Sequence, residues 1–239
     1  MFPWLNRFLT PSHPEKMYKA SEILSQTLQI ANTLEIEYYK NHARAEIAQQ
    51  YAALGQYNQA VQISKSIGGA EENARSLAGI AISCAIAGHY DQALTLANSI
   101  EITASKARSL AGIAAQYAKV GQYELALALA HTIEIESFKF WAVGEIAASY
   151  ATAGHYDQAI QLAQSIDWAD ERACALARIA FQSAAAGHGN KSAGIFALAL
   201  QAAQTIENQA ALARALAEIA TRATAAGLVA LPNQSLMAS

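Results

Sequence analysis

The sequence predicts an all-α fold: an α-solenoid of stacked antiparallel helix pairs, about twelve helices long. Three observations predict it. Glycines recur at Gly55, Gly88, Gly121, Gly154 and Gly187, each 33 residues after the last. Isoleucines followed by alanine keep the same step at Ile47, Ile80, Ile113, Ile146 and Ile179, and so does the series Leu34, Ile67, Ile100, Ile133, Ile166. No segment sustains the alternation of apolar and polar side chains that marks a strand. A fixed period in the range of about 20–50 residues is the signature of a stack of identical supersecondary units.

The elements follow in order. Residues 1–14 form an apolar arm with Phe2, Trp4, Leu5, Phe8 and Leu9, too short and lacking the cleavage site of a signal peptide. The arm is read as a cap over the first helix, or as a contact with a membrane surface through Phe2, Trp4 and Phe8. The solenoid spans 15–226. It opens with an unpaired helix at about 15–34. First helices of successive pairs are expected near 37–54, 71–87, 104–120, 137–153, 170–186 and 209–226, with a second helix after each of the first five. A tail, 227–239, follows.

One pair shows why. In "FKFWAVGEIAASYATAG", 138–154, Val143, Ile146, Ala147 and Tyr150 fall on one helical face. Gly154 then ends the helix, as a residue free to adopt the left-handed conformation does. Asp157 favours the start of the next helix, 156–166, through the helix dipole; Ala159, Ile160, Leu162, Ala163 and Ile166 line it. The last pair differs. From Ile179 to Ile219 the step is 40, so seven residues are inserted around "GHGNKSAGIFALAL". Seven residues are nearly two helical turns, so they lengthen a helix without rotating its apolar face; this second helix is expected to overhang its neighbours.

Composition agrees. Apolar residues make up 53% of the chain and charged ones only 15%, and much of the apolar share is alanine, which favours many close-packed helices. A net charge of −3 gives no electrostatic footprint for nucleic acid. No stretch reaches the roughly 20 apolar residues of a membrane span. Cys84 and Cys174 sit singly in apolar helical patterns, as buried thiols of a reducing, cytoplasmic setting would.

The stretch "YATAGHYDQAIQLAQSI" with the preceding "EIA" resembles the tetratricopeptide repeat. The matching residues are Ala147, Tyr150, Gly154, Tyr156 and Ala159, with Ala48, Tyr51, Gly55, Tyr57, Ala60 and Ala114, Tyr117, Gly121, Tyr123, Ala126 in other copies. The resemblance covers about residues 20–226 and implies a right-handed superhelix whose first helices line a concave, ligand-binding wall. The chain departs from the family in three ways. Its step is 33 rather than 34, the closing proline is missing, and small Ala97, Ala130 and Ala163 replace the bulky residue of the second helix. Ankyrin repeats share the step, but their "TPLH" signature is absent.

Catalytic or cofactor chemistry is not expected. "AAGHGNKSAG", 185–194, has Asn190 and Ala185 where a phosphate loop needs glycines, and is read as a linker. His89, His155 and His188 follow turn glycines and are read as solvated; the scattered acids are read as helix caps. The expected function is a non-catalytic scaffold that binds a peptide or helix of a protein partner. Arg75 and Arg108 pair with its acidic groups, Trp141 and Phe181 anchor it, and Ile82 lies in the same wall. The wall rows are His42, Arg75, Arg108, Trp141, Cys174, Arg214; Ala45, Ala78, Ala111, Gly144, Ala177, Ala217; and Gln49, Ile82, Ala115, Ala148, Phe181, Thr221. Two alternatives are a helical-repeat enzyme subunit and an RNA-binding helical array. The second should show a basic wall rather than rows of alanine.

Overall fold

The computed structural model describes residues 14–227. The expected arm, with Phe2, Trp4 and Phe8, lies outside the described residues except for Pro14, and the tail does except for Gly227. The described residues form twelve helices and no strand. After α1 (Pro14–Asn32) come six first helices of 17 residues: α2 (Glu37–Ala53), α4 (Ala70–Ile86), α6 (Thr103–Lys119), α8 (Glu136–Thr152), α10 (Ala169–Ala185) and α12 (Gln209–Ala225). Between them lie the second helices α3 (Tyr57–Lys65), α5 (Tyr90–Asn98), α7 (Tyr123–His131), α9 (Tyr156–Gln164) and α11 (Gly189–Ala203). The chain is therefore the all-α solenoid of helix pairs that its period predicts.

It divides into two compact units, Met1–Gln116 and Tyr117–Ser239. In the first, α1 packs on α2, α2 on both α3 and α4, α3 on α4, and α4 on α5. In the second, α7 packs on α8, α8 on α9 and α10, α9 on α10, and α10 on α11 and α12. Within each unit first helices stack on first helices, and α3, α9 and α11 each wedge against their own first helix and the next.

Alanine makes this stacking close. Ala48, Ala81, Ala147 and Ala180 of the first helices, and Ala60, Ala93, Ala126 and Ala159 of the second, are all fully buried. The isoleucines beside the first set supply the apolar area: Ile80, Ile113, Ile146 and Ile179 are fully buried and Ile47 nearly so. Each such burial stabilises by about 1.5–3 kcal/mol.

The glycine turns close five of the described first helices, α2, α4, α6, α8 and α10, in one way. Gly154 has φ +86°, its N–H donates to Ala151 O at 3.0 Å, and the His155 N–H donates to Tyr150 O at 2.9 Å. That pair of bonds satisfies carbonyls the helix end leaves open. The same six-residue closure joins Gln56 to Tyr51, His89 to Cys84, Gln122 to Tyr117 and His188 to Ser183, each at 2.9 Å.

The second helices stop earlier than expected. Helix α9 ends at Gln164, and Ile166 lies in the following link, still buried at 1% exposed. A hydroxyl stops it: Ser165 Oγ donates to Leu162 O at 2.7 Å. Ser66, Ser99 and Thr132 do the same at the 33-residue step, each at 2.7 Å. Such side chains compete with the next helical bond.

In α11 the insertion behaves as its length requires. The helix has 15 residues against 9 in α9, and six of the seven extra residues sit in it. The expected linker at 185–194 is corrected here: only 186–188 are non-helical, and Lys191 and Ser192 lie in the first turn of α11. Lys191 pairs with Asp157 at 3.6 Å and sits over the Tyr156 ring. Ser192, at the position of the buried alanines, donates to Ala180 O at 2.8 Å.

The acids do not cap by hydrogen bonding. Ile36, Gly69, Ile135 and Trp168 occupy cap positions without a side-chain bond, and Asn208 alone among the caps described accepts one, from Ala211 N–H. Glu71, Glu72, Asp91, Glu124, Glu136, Asp157, Asp170 and Glu171 act from the first turns instead, through the dipole.

Candidate functional site

In the first unit, α2 and α4 leave between them a cleft of about 400 Å³, lined by Tyr38, His42, Glu46 and Gln49 on one side and Glu72, Arg75 and Ser76 on the other. Its floor is built by an exception in the repeat. Gly68-Gly69 stands where other links carry Glu101-Ile102 or Glu134-Ile135. Asn41 Nδ2 donates to Gly68 O at 3.0 Å, and the Gly68 N–H donates back to Asn41 Oδ1 at 3.2 Å. Gly69 has φ +90°, and a Cβ there would fall 2.5 Å from Glu72 Oε2. At this φ any other side chain is strained, which favours glycine.

The polar groups of the cleft are unevenly satisfied. Ser76 is 1% exposed and its hydroxyl has no hydrogen-bond partner, a state that costs free energy unless something supplies one. Arg75 is exposed and makes no ion pair among the described residues, although Glu71 and Glu72 lie one helical turn before it. Arg108, the equivalent residue of α6, is likewise exposed and unpaired. Ile82 does not line an open wall. It is half-buried and packs on the next first helix, where a Cβ added to Gly112 would come within 2.6 Å of its Cγ1.

In the second unit the corresponding face is already occupied by its own side chains. Arg178 Nη1 donates to Glu145 Oε1 at 2.7 Å, and its Nε lies 3.8 Å from Glu218 Oε1; Arg222 Nε donates to that same oxygen at 2.6 Å. This tie joins α8, α10 and α12. Arg222 also lies over the Phe181 ring, 5.9 Å from its centroid, so Phe181 is half-covered. Arg214 is held by Asp170 and by Glu171, the latter at 2.9 Å, and these carboxylates raise its pKa. Trp141 is half-buried. Cys174, at the position of Arg75 and Arg108, is buried.

The wall rows therefore separate. The alanine row is interior where Ala78, Ala111, Gly144 and Ala177 are buried. The row of Arg75 and Arg108 is open in the first unit. The sequence reading missed the column Glu46, Gly79, Gly112, Glu145, Arg178, Glu218, although it keeps the step of 33, then 40. It also missed Ser76, whose orphaned hydroxyl has no sequence signature.

Burial pushes the Cys84 thiol up to about 11 and raises that of Cys174, with Glu171 adding to the second shift. Both shifts favour the neutral thiol. The turn histidines are exposed but not bare: His89 packs edge-on to Tyr57 at 5.3 Å and His188 to Tyr156 at 5.6 Å. Among the described residues no three His, Cys, Asp or Glu side chains gather as a metal site, and no helix is long and apolar enough to cross a membrane. No protein-family model matches the chain, and no curated protein matches it.

Proposed function

We propose that the protein is a non-catalytic interaction scaffold, and that its first unit binds an acidic peptide segment of a protein partner through Arg75 and Arg108. One observation carries this. Among the described arginines, Arg44, Arg172, Arg178, Arg214 and Arg222 all hold partners within the chain, and Arg75 and Arg108 hold none. Two free guanidinium groups at equivalent positions of stacked helices stand about 9–10 Å apart at the backbone. An extended peptide covers that span in about three residues, so acidic side chains three apart match the pair. The cleft beside Arg75 takes the neighbouring side chain.

The tetratricopeptide-like character of the repeat supports this reading. Ala48, Ala147, Ala60 and Ala159 are buried, and Gly55 and Gly154 adopt positive φ, as that resemblance requires. Free, buried Cys84 and Cys174 suit a cytoplasmic setting.

The test is selection of binders from a random peptide library by the full-length protein. Enrichment of peptides with two acids three residues apart is expected. Arg75→Ala and Arg108→Ala should each weaken the selected peptides about tenfold or more, since a charge-assisted bond is worth about 1.5–3 kcal/mol. Binding indifferent to both substitutions would refute the proposal.

A further inference from the structure

Helix α1 stands at the position of a second helix, with no first helix before it among the described residues. Counting back 33 residues, Thr27, Ile30 and Leu34 are the equivalents of Ala60, Ile63 and Ile67. Those three are 0%, 6% and 5% exposed, because α2 closes over them within its hairpin. Their counterparts in α1 are open: Ile30 is 69% and Leu34 38% exposed, and Thr27 is exposed as well. One turn earlier Ile23 extends the strip at 62% exposed. Residues 23, 27 and 30 lie on one helical face, and Leu34 follows in the link just past the helix end. Beside the strip the contact toward α2 is normal, with Ala31 buried at 5%. The exposed strip is therefore the hairpin face of a repeat whose other half is absent among the described residues.

We infer that this strip is the docking site of the chain's own residues 1–13. Three observations select this occupant. The segment joins α1 directly at Pro14, so its local concentration at the strip exceeds that of any separate molecule. Its composition fits: Phe2, Trp4, Leu5, Phe8 and Leu9 supply the apolar surface that Ile23, Ile30 and Leu34 lack, with Arg7 as the only charged side chain. Its reach suffices. Ile30 lies about 24 Å along the helix from Pro14, and 13 residues span up to about 43 Å. An arm of that length running back along α1 brings Phe2 and Trp4 within reach of Ile23 and Ile30, the closure that the end of a solenoid stack requires.

The experiment uses the full chain labelled with 5-fluorotryptophan and its fluorine spectrum. Deleting residues 1–13 assigns the Trp4 resonance. The proposal expects that resonance shifted from its unfolded position, and returned to it by Ile30→Asp, a residue too exposed for the substitution to disturb α1 itself. Stability gives an independent reading. The deletion and Ile30→Asp should each lower Tm by about 5 °C, and the two combined by no more than either alone. A Trp4 resonance at the unfolded position in the native protein overturns the proposal, and so do additive losses of Tm. A Trp4 shift that disappears on dilution, with dimer in sedimentation, also overturns it and assigns the strip to a second copy.

Discussion

Two mid-helix glycines, Gly112 and Gly144, should respond to alanine in opposite directions. In an unstrained helix interior, Gly→Ala stabilises by about 1 kcal/mol through lost chain entropy. At Gly144 that gain is free to appear: the nearest atom to an added Cβ is Ala175 Cβ at 3.5 Å, an ordinary contact. Gly144→Ala is expected to stabilise by about 0.5–1 kcal/mol. At Gly112 the added carbon would lie 2.6 Å from Ile82 Cγ1 and 2.7 Å from Cδ1. Carbon atoms rest at about 3.5–4.0 Å, so Ile82 or the helix must yield by about 1 Å. Overpacking of this kind costs about 1–3 kcal/mol. Set against the helix gain, Gly112→Ala is expected to destabilise by about 0.5–2 kcal/mol. Trimming the opposing side chain removes the clash, so Gly112→Ala with Ile82→Ala should be more stable than the two single effects sum to, by about 1 kcal/mol. Equilibrium urea unfolding followed by circular dichroism measures all four proteins, provided the slope is unchanged. If Gly112→Ala stabilised as much as Gly144→Ala, the close stacking of α4 on α6 would be wrong.

Three further outcomes are expected. Arg178→Met strands Glu145 and leaves Glu218 to Arg222 alone, at positions where the Arg178, Glu145 and Glu218 side chains are less than a third exposed, and should cost about 1–2 kcal/mol in urea unfolding; Glu145→Gln added to it should cost less than it does alone. Because burial raises the Cys84 thiol from 9.0 to about 11, the folded state favours the protonated form, so stability is retained below about pH 9 and lost as pH rises toward 11. In the same window a thiol reagent should label the native protein far more slowly than the unfolded one. Ser192→Ala should change stability by less than about 1 kcal/mol, since other second helices carry alanine there, whereas Ser192→Leu should disrupt α11 against α10.

Much of the architecture was legible because it repeats. Five glycines at one spacing located the helix ends to within a residue or two, and the isoleucine columns named the core. The early stop of the second helices was less legible. Ser66, Ser99, Thr132 and Ser165 recur visibly, but a hydroxyl near a helix end reads equally as solvated until its acceptor is known. The site was half legible. Arg75 and Arg108 stand out by type and period, yet only the structure shows that they lack partners while Arg178 and Arg214 have them. Ile82 and Phe181 are each half-covered for a shared reason. Position in a repeat gives a direction, and what the next helix puts there, Gly112 for one and Arg222 for the other, decides exposure.

Native-state hydrogen exchange tests the arrangement most directly, since it asks which amides each neighbouring helix shelters. Protection should peak around Ile80, Ile113, Ile146 and Ile179 and fall in the links between them, so that the profile repeats every 33 residues along the chain. A profile with one protected block and no such recurrence would contradict the stacked-hairpin account.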